Sequence, residues 1–213
     1  MTKPLADVAR ADPLPAIRMQ AVRTLPEQFI DYSSVARHDA SAAVRAAAMR
    51  KMNDRGAVAL LLEQLEHPDS YIRQAARRGL RRLTEKEELM EYSRHNNAAV
   101  RLAALLLLRQ IDPSTGSKVL PSALKDVDPR VRFVAVQWIW DHDLTEFRDE
   151  LETGLLHSAT TRPLLEAYLA ALAQMDASAM EEIGAEAEAV FRKIVRKGFE
   201  ESVLESEDRI EGF

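Results

Sequence analysis

The chain has 213 residues, of which 46% are hydrophobic and 30% are charged, and its formal net charge is −5. This composition indicates a soluble, folded protein and excludes a disordered one. The chain contains no cysteine, which excludes disulfides, thiolate metal ligands and a cysteine nucleophile.

The distribution of apolar and charged residues indicates which cellular compartment and which classes of partner to expect. The longest apolar run, residues 102–108, is too short to cross a bilayer, and the first residues contain no long apolar stretch. We therefore expect a cytoplasmic protein. Residues 1–145 carry 22 basic and 18 acidic side chains, whereas residues 146–213 carry 7 and 16. The basic body favours acidic partners, and the acidic end argues against a simple nucleic-acid binder.

An arginine recurs six times along the chain, each time seven residues before a large apolar residue. The intervals between successive arginines are 27, 28, 28, 31 and 30 residues. A period of this size predicts a stack of helical repeats. The repeat arginines are Arg18, Arg45, Arg73, Arg101, Arg132 and, in a degenerate sixth copy, Arg162.

Each of the first five copies begins with Asp or His and other turn-forming residues, and then enters a helix. Small or apolar residues follow the arginine at +3 and +7, the spacing of one buried helical stripe. Shorter amphipathic segments lie between these helices, so each repeat is an outer A helix followed by an inner B helix. The five segments are DPLPAIR (12–18), DASAAVR (39–45), HPDSYIR (67–73), HNNAAVR (95–101) and DVDPRVR (126–132).

This motif resembles the HEAT repeat, most closely its short bacterial variety named after phycobilisome lyases, over roughly residues 5–175. The resemblance implies an all-α, right-handed α-solenoid of about six helix pairs with a C-terminal capping helix, in one domain spanning residues 1–213. The resemblance does not indicate a function, because members of this family have many different functions. We expect repeats at about 1–25, 26–53, 54–83, 84–111, 112–142 and 143–175, a cap at 176–198 and a mobile acidic tail at 199–213.

In such stacks the turn residue and the repeat arginine can bond carbonyls and carboxylates of adjacent repeats. We therefore predict that these residues form a structural ladder, with ligand contact as the alternative. Removal of one buried partner would leave the other unsatisfied. The predicted ladder comprises Asp12, Arg18, Asp39, Arg45, Arg73, Arg101, Asp126 and Arg132.

In this fold family the B helices line the concave side, where positions +1, +5 and +8 after the arginine lie close together. These positions and their neighbours are rich in arginine in repeats 1–3 and apolar in repeats 4–5. Arginine with aromatic residues is typical of binding hot spots. We predict a non-catalytic groove for a protein or peptide, without a cofactor. Its residues are Arg23, Arg50, Arg78, Arg81, Arg82, Leu102, Leu106, Arg109, Phe133, Gln137 and Trp140.

Two alternatives to protein binding remain. Residues 37–109 hold 14 basic and 9 acidic side chains, an excess that could contact the phosphates of a nucleic acid. HEAT-like DNA glycosylases use aromatic and acidic residues on a basic face, and Trp138, Trp140 and Asp141 supply those types. The histidines are about one repeat apart, too far to share one ion, so we predict no metal site.

Overall fold

The computed structural model describes residues 4–156, 161–176 and 184–211, and the regular elements in these ranges are all helices. The predicted all-α class is confirmed. The chain divides into two compact units, Met1–Leu107 and Leu108–Phe213. Among the described residues, no helix has both the length and the apolar character needed to span a membrane.

Unit 1 is built from short helices with turns of 3-10 helix between some of them. The 3-10 turns are Glu27–Phe29, Arg55–Ala57 and Gln64–Glu66. The last helix of the unit, α8, continues into residues assigned to unit 2. The helices are α1 (Leu5–Ala11), α2 (Pro15–Thr24), α3 (Tyr32–His38), α4 (Ala42–Lys51), α5 (Val58–Glu63), α6 (Ser70–Leu83), α7 (Lys86–Tyr92) and α8 (Ala98–Ile111).

The helices of unit 1 pack as stacked pairs. Helix α1 contacts α2, α3 contacts α4 and α5 contacts α6, while α2, α4 and α6 form a row in which each contacts the next. Alanines at the +3 position, Ala21, Ala48 and Ala76, are buried along this row. Their small side chains let the helix axes approach closely. Gly79 has a similar role, since a Cβ there would lie 2.7 Å from Cδ1 of Leu61 on α5.

Unit 2 repeats this arrangement of helix pairs. Helix α9 contacts α10, α11 contacts α12, and α10 contacts α12, which also contacts α13. The 3-10 turns Pro113–Thr115 and Thr145–Phe147 precede α9 and α11. The helices are α9 (Gly116–Ala123), α10 (Pro129–Asp141), α11 (Arg148–Leu155), α12 (Arg162–Met175) and α13 (Gly184–Glu211).

The core of unit 2 contains large side chains with polar groups. Trp138, Arg132 and Tyr168 have no exposed surface. Gly154 lets α11 approach α12, because a Cβ there would lie 2.5 Å from the hydroxyl oxygen of Tyr168. The described helices fall two to each predicted repeat, and one continuous solenoid through both units stays a prediction.

The C-terminal region differs in part from the cap and tail that the sequence suggests. In α13, Ala187 is buried, whereas Phe191 and Val195 are exposed by 42% and 53%. Residues 177–183, including Met180 and Ile183 of the predicted cap, lie outside the described residues. Helix α13 continues to Glu211, well into the segment expected to be mobile. That segment has no proline and is rich in glutamate, which favours a helix.

Candidate functional site

The repeat arginines of the first five copies bind the turn that precedes their own helix. In each case Nη1 donates to the carbonyl oxygens of the residues five and six positions earlier. These hydrogen bonds connect the turn to the first turns of the helix that follows it. The distances from Nη1 to the earlier carbonyl are 2.7 Å for Arg18, 2.8 Å for Arg45, 2.7 Å for Arg73 and 2.8 Å for Arg101.

The turn residue makes the same hydrogen bond whether it is aspartate or histidine. Oδ1 of Asp39 accepts the amide of Ser41 at 2.8 Å, and Nδ1 of His67 accepts the amide of Asp69 at 3.0 Å. This equivalence explains why both residue types occupy the position. It also directs the Nδ1 atoms of His67 and His95 to backbone amides. Among the described residues, no cluster of three or more potential ligands could hold a metal ion.

Arg18 links two repeats by an ion pair with Asp39. Its Nε and Nη2 donate to the two carboxylate oxygens, each at 2.9 Å, and the two side chains are only 11% and 8% exposed. Burial alone would raise the pKa of Asp39, but hydrogen bonds from Arg18 and from the Ser41 amide lower it below its usual value. Arg45 has the weaker counterpart, with Nη2 3.4 Å from Nε2 of His67.

Three arginines of unit 1, Arg23, Arg50 and Arg78, form what we call the arginine row. Each lies five residues after a repeat arginine, on α2, α4 and α6, which pack side by side. Within the part of the chain that the structure describes, none of the three has a carboxylate within 4.0 Å. Burial, followed by the charges of Arg23 and Arg78, lowers the pKa of Arg50. The row is therefore a cluster of like charges.

The residues beside the row have different roles. Arg81 is exposed on α6, and burial, with the charges of Arg73 and Arg78, lowers the pKa of the half-buried Arg77. Arg82, which the sequence placed in the groove, donates from Nη2 to the carbonyl oxygen of Met52 at 2.9 Å. It therefore caps the C-terminal end of α4. Sequence reasoning could not anticipate this contact, because it joins residues 30 positions apart.

Tyr71 is an aromatic residue of this surface that the repeat positions did not single out. It is 67% exposed and close enough to Arg50 to affect its pKa. Tyr71 lies in the first turn of α6, seven residues before Arg78, and therefore on the same helix face. Its helical spacing from Arg78 is the signal that could have identified it.

Two apolar residues of the predicted groove, Phe133 and Trp140, line a cleft in unit 2. Phe133, Gln137 and Trp140 on α10 line a cleft of about 260 Å³, and Trp140 is 44% exposed. The opposite wall comes from α12, at positions where the residue types alone gave no sign of binding. The residues of that wall are Pro163, Glu166 and Ala167.

The other residues of the predicted groove are less accessible to a ligand. Leu102 and Leu106 are half-buried on α8, and Arg109 forms a salt bridge with Asp141. Trp138 is fully buried, so it does not share a surface with the exposed Trp140. Of the three residues that suggested a glycosylase-like cluster, Trp138 is therefore not at the surface.

A second cleft, of about 400 Å³, lies in unit 1 where short helices and 3-10 turns meet. Its lining includes Glu27, Phe29, Asp31, Tyr32 and Asp54. Much of this polarity stabilises the fold: the Asp31 and Asp54 carboxylates accept backbone amides, and the Tyr32 hydroxyl donates to the Leu25 carbonyl. The repeat alignment did not indicate this cleft, because its residues lie outside the B helices that the alignment compares.

Comparison of the chain with known proteins gave no match to a family model, a curated protein or a solved structure.

Proposed function

We propose that the chain is a binding module whose arginine row receives an acidic segment of another protein. The observation that carries this proposal is the repetition, at one register position on three adjacent helices, of an arginine that has no carboxylate partner among the described residues. Adjacent packed helices are about 8–10 Å apart, so the three guanidinium groups can track an extended or helical anionic segment. Arginine also binds carboxylates in a bidentate manner, which gives geometric specificity.

The contrast with six other arginines of unit 1, which have partners within the chain, supports a ligand-binding role for the row. Arg18, Arg37 and Arg55 pair with Asp39, Glu63 and Glu88. Arg45, Arg73 and Arg82 bond backbone carbonyls. Arg23, Arg50 and Arg78 instead repel one another, and an anionic ligand would relieve this repulsion.

A protein partner fits the chain better than a nucleic acid. Unit 1 carries 17 basic and 13 acidic side chains, but unit 2 carries 12 and 21, a net charge of −9. A long polyanion would be repelled by unit 2, whereas a short acidic segment needs only the row. The cleft at Trp140 would receive an apolar side chain of a protein partner, because single large anchors in pockets dominate such interfaces.

We further propose that the helix pairs form one right-handed, HEAT-like solenoid and that the protein acts in the cytoplasm. The turn motif and its Nη1 contacts recur at Arg101 in unit 1 and Arg132 in unit 2, which supports one repeat type throughout. In a solenoid of this kind the +5 positions share the concave face.

Binding of a fluorescein-labelled poly-glutamate peptide, followed by fluorescence anisotropy, tests the row. We expect Arg78→Glu to weaken binding about tenfold, since it removes one attraction and adds one repulsion of roughly 0.5–1 kcal/mol each. Arg94→Glu is the matched control, because Arg94 is exposed, lies outside the row and undergoes the same charge change. It should change the affinity by less than about twofold.

The same titration decides between the two classes of partner. Equal affinities of Arg78→Glu and Arg94→Glu for poly-glutamate would refute the row as a binding surface. Tighter binding of single-stranded oligothymidylate than of poly-glutamate, lost on Tyr71→Ala, would replace the acidic segment with a nucleic acid that stacks on Tyr71.

A further inference from the structure

The helix pair α1–α2 exposes apolar residues at positions that the next pairs bury. Ile17, directly before the repeat arginine, is 43% exposed, whereas its equivalents Val44 and Ile72 have no exposed surface. Leu5 is equally exposed, whereas Tyr32, the equivalent residue 27 positions later, is buried. Helix α4 packs on α2 and α6 packs on α4, but no described helix pair precedes α1–α2. Exposed apolar surface of this kind is typical of a contact between proteins.

Leu14 belongs to the same exposed surface and occupies a position where other repeats have a polar residue. It is the N-cap of α2 and is 57% exposed. In the equivalent position, the side chains of Asp69 and Asn97 accept backbone amides of their own helices. Leucine cannot accept these hydrogen bonds, so it stabilises the start of the helix less than a polar residue would. An apolar side chain here suits burial in an interface better than exposure to water.

The turn residue of this pair lacks the link that the next pair makes. Both carboxylate oxygens of Asp39 accept from Arg18 of the preceding pair, each at 2.9 Å. Asp12 has the equivalent position, and its Oδ1 accepts the amide of Leu14. Among the described residues, the Asp12 carboxylate forms no ion pair. An arginine that approached Asp12 as Arg18 approaches Asp39 would supply the missing link.

We propose that this face of α1–α2 is a docking site for a helix pair of a partner protein, which stacks on it as a preceding repeat and places an arginine on Asp12. The chemistry of the partner follows from the chain itself, because α2 packs on α4 and Arg18 binds Asp39 in this way. The partner contributes apolar side chains against Leu5, Leu14 and Ile17. None of these residues belongs to the arginine row, so this contact is additional to the proposed binding of an acidic segment.

Fluorescence anisotropy with the full chain and a fluorescein-labelled peptide of residues 4–30 tests the docking. The peptide contains one helix pair of this repeat type, with its arginine. We expect saturable binding to the wild-type chain and a dissociation constant at least about tenfold higher for the full chain with Ile17→Glu. Val127→Glu is the matched control, since Val127 is 84% exposed in unit 2. Absence of binding by the wild-type chain, or equal dissociation constants of the two variants, would overturn the proposal.

Leu14→Asn separates the loss of an interface from the loss of the fold. Asparagine supplies an N-cap, so the urea midpoint of the free chain should not fall. The peptide of residues 4–30 should nevertheless bind at least about fivefold more weakly, because an apolar contact is lost. Unchanged affinity of a stable Leu14→Asn chain would contradict docking on this face.

An extended chain, in which residues 4–30 are repeated once ahead of Pro4, tests the role of the arginine. The added arginine lies 21 residues before Asp12, just as Arg18 lies 21 residues before Asp39. Asp12→Asn should therefore lower the urea midpoint of the extended chain by more than it lowers that of the wild-type chain. Substitution of the added arginine by glutamine should remove this difference. An equal effect of Asp12→Asn in both chains would show that a stacked pair does not place its arginine on Asp12.

The docking site and the arginine row can be tested separately. The peptide of residues 4–30 carries three basic and three acidic side chains, so it offers the row no net negative charge. Arg78→Glu, which should weaken poly-glutamate binding, should leave the affinity for this peptide unchanged, and Ile17→Glu should retain binding of poly-glutamate. A loss of peptide affinity in Arg78→Glu would place the peptide on the row and overturn the docking proposal.

Discussion

The position six residues before each repeat arginine shows how two side chains of different chemistry serve one structural purpose. Aspartate and histidine there both accept an amide from the residue two positions later. They differ in what they offer the arginine of the preceding repeat. Asp39 gives Arg18 two charged acceptors, whereas His67 gives Arg45 one long contact. The turns are therefore equivalent, while the links between repeats are unequal.

This difference predicts a pH-dependent loss of stability on Asp39→Asn. The pKa of Asp39 is lowered in the folded protein, so its contribution is fully present above the usual aspartate pKa and is lost as the pH falls through the lowered value. At neutral pH we expect a loss of about 1.5–3 kcal/mol of unfolding free energy, the range for hydrogen bonds to a charged group. Urea unfolding of both proteins at several pH values measures it.

Asp12→Asn provides the control for this experiment. Oδ1 of Asp12 accepts the amide of Leu14, and Arg18 bonds the carbonyl rather than the carboxylate of Asp12. The Asp12→Asn substitution should therefore lower the unfolding free energy by less than Asp39→Asn does. A constant difference between wild type and Asp39→Asn from neutral pH down to pH values below the lowered pKa would contradict the ion-pair explanation.

At the residue scale, the sequence predicted the residues that recur in each repeat but not the contacts that occur only once. The repeat alignment identified these arginines and predicted bonds between adjacent repeats, which Arg18 makes with Asp39. The Nη1 contacts that all five share are instead with the turn of their own repeat. Trp138 is buried and Trp140 is exposed. They differ because residues two positions apart on a helix point in different directions, and because α12 packs against α10. The contact of Arg82 with Met52 joins two helices and leaves no local signal.

At the scale of single elements, helix α4 holds an arginine whose charge is in an unfavourable environment. Arg50 is half-buried, lies between the arginines of α2 and α6 and has no carboxylate within 4.0 Å among the described residues. Ligand-binding surfaces often lower the stability of the free protein in this way, because the compensating charge is supplied only by the ligand. The helix pairs themselves were predictable from period and capping residues. The extent of α13 was not, since an acidic composition suits both a helix and a mobile tail.

Arg50→Gln should therefore stabilise the free protein while weakening its binding. Loss of the like-charge repulsion should raise the unfolding free energy by about 0.3–0.5 kcal/mol at low salt, the scale of exposed charge pairs, and added salt should reduce this gain. Urea unfolding measures the gain, and anisotropy with poly-glutamate measures the loss of affinity. Arg94→Gln, which alters an exposed arginine outside the row, should change neither. A destabilised Arg50→Gln protein would show that Arg50 stabilises the fold.

At the scale of the whole molecule, the two units carry opposite charge. Unit 1 has a net charge of +4 and unit 2 of −9, and the isoelectric point is about 5.6. At neutral pH the net charge of −5 gives two copies a long-range electrostatic repulsion. Near the isoelectric point this repulsion vanishes, but each unit keeps its own sign. Attraction between unit 1 of one copy and unit 2 of another then has no net repulsion to oppose it.

We therefore expect self-association near pH 5.6 that responds to salt. Light scattering at low salt should show a larger average mass near pH 5.6 than at neutral pH, and added salt should remove this difference, because screening acts on exposed charges. Association near the isoelectric point that resists salt would mean that apolar contact, rather than the opposite charge of the units, drives it.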